Sequence, residues 1–142
     1  MDEVYNTLYG MNYAGNNVYR GRTNPLSDQI DYAVTIYQGS DEVFDSDDRP
    51  WDPMYRTLTI LIECHARAKE TEIEQELNAM SKAVSVLIQS VADPPFGLSF
   101  CFDLEEGNVI QPDINTEGSK PVGVLPMVFT VSYQRSRADP SA

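Results

Sequence analysis

Apolar residues recur at every second position from Leu58 to Ala66 and again from Leu125 to Tyr133, and a helical stripe lies between them. Successive side chains of a strand point to opposite sides, so Leu58, Ile60, Ile62, Cys64 and Ala66 share one face. Leu125, Met127, Phe129, Val131 and Tyr133 do the same in the last strand. Ile73, Leu77, Met80, Val84, Leu87, Ile88 and Val91 recur at helical spacing and make one apolar side. Two one-faced strands and a one-faced helix can hide those faces only against each other. The expected fold is therefore α+β: a single domain over residues 1–142, with a mostly antiparallel or mixed sheet and the long helix on one side of it.

The remaining segments add to this frame. Val4, Leu8 and Met11 have helical spacing within residues 2–14, and Asp2 and Glu3 suit the positive end of a helix dipole. This predicts a shorter N-terminal helix on the same side of the sheet. Gly15 stops it. Val18–Arg20 reads as a short strand closed by Gly21. Ile30, Tyr32, Val34 and Ile36 alternate with Asp31, Ala33, Thr35 and Tyr37, which predicts a further strand. Residues 38–53 hold six acids, two prolines and one glycine, and read as a long exposed loop that orders on assembly. Thr71 and Glu74 have the spacing of a capping box ahead of the long helix. Pro94 and Pro95 set its end near Ala92–Asp93. Leu98–Leu104 reads as a strand with Phe100, Phe102 and Leu104 on one face. Residues 105–120 read as a second polar loop, and residues 136–142 as a disordered tail.

Charge restricts the partners. The chain carries 22 acids against 10 bases, a net charge of −12. Gripping a nucleic-acid backbone needs a surplus of Lys and Arg, and an anionic membrane surface selects for the same. An acidic surface instead suits contact with basic patches on proteins, or a wall past which DNA slides without sticking. Cys64 and Cys101 lie in expected strands and read as free thiols rather than a disulfide. The first residues lack the basic and apolar runs of a secretory signal, and no segment has the ~18 consecutive apolar residues that span a bilayer.

Motifs that carry chemistry are sparse. His65, the only histidine, falls on the strand face opposite Leu58 and Ile60, beside Glu63 and Arg67. No nucleophile or orienting acid pairs with it in the sequence, so it is expected to be a solvated strand or interface residue rather than a base. Asp45, Asp47 and Asp48 are acidic like a calcium loop, but the sixth position from Asp45 is Pro50 and not glycine, so no metal site is expected. The many acids have no flanking aromatic platform of the kind a glycosidase uses. There is no phosphate-cradling glycine loop and no Gly-x-Ser-x-Gly elbow. The candidate interface residues are Arg20 and Arg22, either ordinary surface arginines or contacts for a neighbouring carboxylate. To these are added the apolar anchors Val43, Phe44 and Trp51, set among Asp47 and Asp48.

Asn17–Leu26, then Ile30–Tyr37, an acidic loop, Arg56–Arg67, the helix Ile73–Val91 and the closing Lys120–Tyr133 form an ordered series. That series resembles the tail terminator proteins of long-tailed phages, the minor tail protein U family, over Asn17 to Tyr133. The resemblance implies an α+β subunit of a hexameric ring that caps the head-proximal end of the tail tube. Such a ring stops tube growth and offers a docking surface to the head-side connector. It implies a structural role without catalysis or cofactor, in the virion neck after assembly in the host cytoplasm, with DNA passing through the lumen and no membrane contact. Subunit contacts then map to residues 38–53 and 105–120. A head–tail connector shares this size and fold tendency and is the first alternative. A tail-tube subunit and a small acidic hydrolase follow.

Overall fold

The computed structural model describes residues 2–11, 15, 17–21, 31–45, 54–69, 71–90, 101–107, 111–115 and 121–135. It is an α+β domain. The elements are α1 (Asp2–Leu8), β1 (Val18–Arg20), β2 (Tyr32–Asp45), β3 (Met54–Arg67), α2 (Ile73–Gln89), β4 (Cys101–Glu106), β5 (Asp113–Asn115) and β6 (Val122–Arg135). The strands form one mixed sheet in the order β1-β2-β3-β6-β4, with β5 also on β6. Only β1 runs parallel to its neighbour. Strands β2, β3 and β6 are antiparallel and form the long centre of the sheet.

The alternating faces are where the pattern puts them. Ile60, Ile62, Cys64, Ala66, Leu125, Phe129 and Val131 are buried, with Leu58, Met127 and Tyr133 partly buried against them. From α2, Ile73, Leu77, Met80, Val84 and Ile88 close over this face. Each such side chain contributes about 2 kcal/mol on burial, which is what holds a helix of this length to a sheet. From α1, Val4 and Leu8 complete the core. Gly123 sets how closely α2 approaches: a Cβ there would lie 2.6 Å from Leu77 Cδ1 and 3.2 Å from Ile73 Cγ1.

Several boundaries differ from the sequence expectation. Residues 38–53 are not one loop. Strand β2 runs on to Asp45 and pairs with β3 from Tyr55 to Ile60, with register irregularities between Gln38 and Asp41 and between Val43 and Asp45. Gly39 permits the first of these, because its Cα hydrogens face Thr59, whose carbonyl oxygen would be 3.2 Å from a Cβ. The acids do not break the strand, since the exposed Glu42 keeps its carboxylate in solvent and Asp41 gains partners on β3 and β6. The polar stretch 105–120 likewise contains the end of β4 and all of β5. Strand β6 is 14 residues long, enough to pair β4 along one part of its outer edge and β5 along another.

Pro126 sits between these two stretches. The Val128 carbonyl accepts from the Gly107 N–H at 2.7 Å on that outer side. Residues two apart in a strand direct their backbone groups the same way. The missing N–H of Pro126 therefore falls where neither β4 nor β5 pairs, the place a strand tolerates proline.

The capping box at Thr71 and Glu74 is not formed. The N-cap is Glu72, with no side-chain cap bond. A turn leads into the helix instead, as the Glu72 and Ile73 N–H groups donate to the Lys69 carbonyl at 2.8 and 2.9 Å. The helix ends at Gln89, short of Ala92, and the Ser90 hydroxyl donates to the Leu87 carbonyl at 2.6 Å. Val91 lies outside the described residues. Helix α1 stops at Leu8, because Gly10 turns the chain at φ 82° into a bridge between Met11 and Gly15.

Of the expected face of Phe100, Phe102 and Leu104, Leu104 is buried, Phe100 lies outside the described residues and the Phe102 side chain is not described. A register shift between Cys101 and Asp103 brings both Cys101 and Leu104 to the core. Cys64 and Cys101 are free and buried. They pair on opposite sides of β6, with Leu125 and Tyr133. Those positions are eight residues apart, or about 26 Å along a strand, far beyond disulfide reach.

Candidate interface

Of the expected interface residues, Arg20, Val43 and Phe44 fall on described strands. Arg20 ends β1 and is exposed, and its guanidinium carbon lies 5.0 Å from the centre of the Tyr5 ring. This cation–π contact ties β1 to α1. Tyr5 in turn meets Tyr9 with ring centres 5.5 Å apart. Val43 and Phe44 lie in the distal half of β2 and not in a loop. Arg22, Asp47, Asp48 and Trp51 lie outside the described residues.

The half of β2 that carries Val43 and Phe44 is fixed by a group that the sequence pattern does not reveal. The Arg56 Nε donates to Asp41 Oδ1 at 2.9 Å, and Arg56 Nη2 donates to the Asp41 carbonyl at 3.0 Å. The Tyr133 hydroxyl donates to Asp41 Oδ2 at 2.6 Å. Three adjacent strands are thereby joined through one carboxylate on the helix side of the sheet. The Asp41 carboxylate raises the Arg56 pKa further. Burial first, and then the same carboxylate, raise that of Tyr133. Both donors keep their protons at any ordinary pH, so this arrangement serves to brace the β2–β3 hairpin.

His65 is not solvated as expected. It is 7% exposed, and its Nε2 lies 3.0 Å from the Thr35 hydroxyl on β2. Burial lowers its pKa to about 4, so the ring is neutral and one nitrogen is spent on Thr35. The face away from the helices is thus closed at this point, because Ala33 and Thr35, the β2 neighbours of His65, are themselves fully buried. Alternation along β3 says which side His65 takes but not whether that side is covered.

The most open apolar surface is on the helices. Val86 is 61% exposed and Tyr9 49%, the two large hydrophobic residues that stand out among the described residues. Val86 follows Leu77 by nine residues, about half a turn away on the helix, so it faces away from the core. A hollow of about 550 Å³ lies between the α1 turn and α2, bounded by Gly10, Met11, Ala83, Val86 and Leu87. A second, of about 270 Å³, lies between α2 and β6, over Leu125 and Met127. Lys82 and Val86 line both. The secondary stripe Ala79, Ala83 and Val86 carries this signal in the sequence, at four- and three-residue spacing beside the stronger core stripe.

Among the described residues no three His, Cys, Asp or Glu side chains gather as a metal site, and no helix is long and apolar enough to cross a membrane. The chain matches no protein-family model, and no curated protein matches it. The reading of its function therefore rests on its own residues.

Proposed function

We propose that this chain is a structural ring subunit that caps the head-proximal end of a phage tail tube, as a tail terminator. The observation that carries the proposal is the braced hairpin. Strand β2 continues past the last residue that β1 pairs, Ile36, and runs beside β3 to Asp45. The Asp41–Arg56–Tyr133 group holds it to the sheet. A stiff, acidic stretch of sheet edge of this kind is suited to contact between subunits. The ordered resemblance from Asn17 to Tyr133 supports the same reading.

The ring stops tube growth and presents its other side to the head-side connector. A net charge of −12 suits a lumen that DNA must cross, because a basic wall would hold the phosphates. Purified protein, alone and mixed with tube subunits, is to be weighed in solution and imaged by negative stain. Closed rings of about six copies that block further tube polymerisation are the expected result, as a heterologous interface gives rings when its rotation closes. Rings that bind the connector but leave tube growth unchanged favour the neighbouring neck component. A catalytically active monomer sinks the proposal.

A further inference from the structure

We propose that the sheet face away from the helices, at its braced end, receives a basic amphipathic helix of a partner protein. The inference rests on the reading of the chain as an assembly subunit and names the chemistry of what docks on it. Residues directly opposite on neighbouring strands share a face, so the register builds this surface row by row. Glu42, Thr57, Ser132 and Asp103 cross strands β2, β3, β6 and β4 in one row. Thr59, Thr130 and Glu105 make the next, with the Ser40 hydroxyl 3.4 Å from that of Thr59. Tyr37, Leu61 and Val128 make the third. The same face is closed at its other end, where Ala33, Thr35 and His65 are buried. In these three rows every one of the named side chains is part-exposed or exposed.

Shape and charge select the occupant. Short hydroxyl side chains fill the middle of the first two rows, and carboxylates stand at the sides, Glu42 on β2 and Asp103 and Glu105 on β4. Neighbouring strands lie about 4.8 Å apart, so the backbones of Glu42 and Asp103 are separated by roughly 14 Å. An α-helix with its side chains is about 10–12 Å across and fits between them. Thr and Ser let its backbone come close, and Tyr37, Leu61 and Val128 give its apolar side an anchor. Lys or Arg along its two flanks then meets the carboxylates. Among the described residues, no Lys or Arg shares these rows. A second copy does not supply the helix, because α1 has no basic residue and α2 has only Lys82. On the other side of the same strands, Asp41, Arg56 and Tyr133 tie β2, β3 and β6 together. The face is thus fixed before anything binds, which lowers the ordering cost of docking.

The test is an NMR titration of the isotope-labelled full chain with a synthetic amphipathic helix of about 15 residues, lysines flanking a leucine stripe. A scrambled peptide of the same composition is the control. Amide shifts are expected to centre on residues 57–61 and 128–132, and the scrambled peptide to bind roughly tenfold more weakly. The triple variant Glu42→Gln, Asp103→Asn and Glu105→Gln is expected to weaken binding by about tenfold. Removing the same charge from α2, with Glu72→Gln, Glu74→Gln and Glu76→Gln, is expected to change it by less than about twofold. Thr130→Lys, which sets a cation in the middle of the face, is expected to abolish it. Circular dichroism checks that each variant is folded. Equal losses in the two triple variants, equal binding of the scrambled peptide, shifts centred on Val86, or no binding at all each overturn the proposal. Peptide binding on this face by a chain that forms no rings keeps the proposal and removes the terminator reading. Rings without peptide binding do the reverse.

Discussion

Thr35 Oγ1 and His65 Nε2 lie 3.0 Å apart on adjacent strands β2 and β3, both buried. Neither residue belongs to the main helix-covered face, so this contact secures the opposite side of the sheet.

The pH dependence follows from that burial. The folded-state pKa of His65 is about 4, below its ordinary 6.5, so between these values the unfolded chain binds the extra proton. Stability from this residue is complete above about pH 6.5 and declines as pH falls to about 4, where the loss levels off. The full shift corresponds to about 3 kcal/mol, and solvent screening lowers the expected loss to about 2 kcal/mol. Urea unfolding of wild type and His65→Gln across this range isolates the effect from the carboxylates, including Glu63 on the same strand face. The two proteins should converge in stability as pH falls, and parallel curves would contradict the assignment.

Tyr133→Phe should leave the fold intact and cost about 1 kcal/mol, the net worth of one hydrogen bond to a charged acceptor in a partly exposed place. Its larger effect is expected on the hairpin. Amide exchange in residues 41–45 and 55–57 should speed up more than in residues 60–66, because the brace acts at Asp41. Uniform acceleration along β3 would argue against a local brace.

Gly123→Ala should destabilise by about 1–3 kcal/mol through overpacking. The added methyl would meet Leu77 Cδ1 at 2.6 Å, and Leu77 is fully buried. Shortening Leu77 to Ala is costly by itself, but in the double variant it removes the clash. Thermal unfolding of both single variants and the pair should give a combined loss smaller than the sum. Strict additivity would show that α2 does not rest on Gly123.

The two thiols should be inert in the native protein. Burial pushes the Cys64 thiol up to about 12, and Cys101 is also buried. Since the thiolate is the reactive form, a thiol-specific chromogenic reagent at pH 8 should label neither residue quickly and both after denaturation. Rapid labelling of one equivalent without denaturant would place a cysteine at the surface.

Part of the local structure around the candidate residues was legible in the sequence. Arg20 does end a short strand, whereas Val43 and Phe44 lie on β2 and not in the expected loop. The brace was not legible. Asp41 is 15 residues from Arg56 and 92 from Tyr133, and no local period connects such positions. Val86 does not stand out in the sequence, because the stronger stripe through Leu77 and Val84 absorbs the helical signal and the weaker one holds two alanines.

The sequence by itself determined the apolar faces of β3, β6 and α2, and with them the α+β class. Those patterns are local, and their two periods leave only one side of each element to bury. Tertiary structure decided where strands stop and what the second face of the sheet does. Asp41–Asp45 becomes strand because β3 lies alongside to take its backbone hydrogen bonds, and β4 and β5 share β6 because its outer edge is long enough for both. His65 is buried by neighbours on another strand, and the hollow beside Val86 exists only once α1 has docked. Each of these depends on a partner distant in the chain, and composition around the residue carries no record of it.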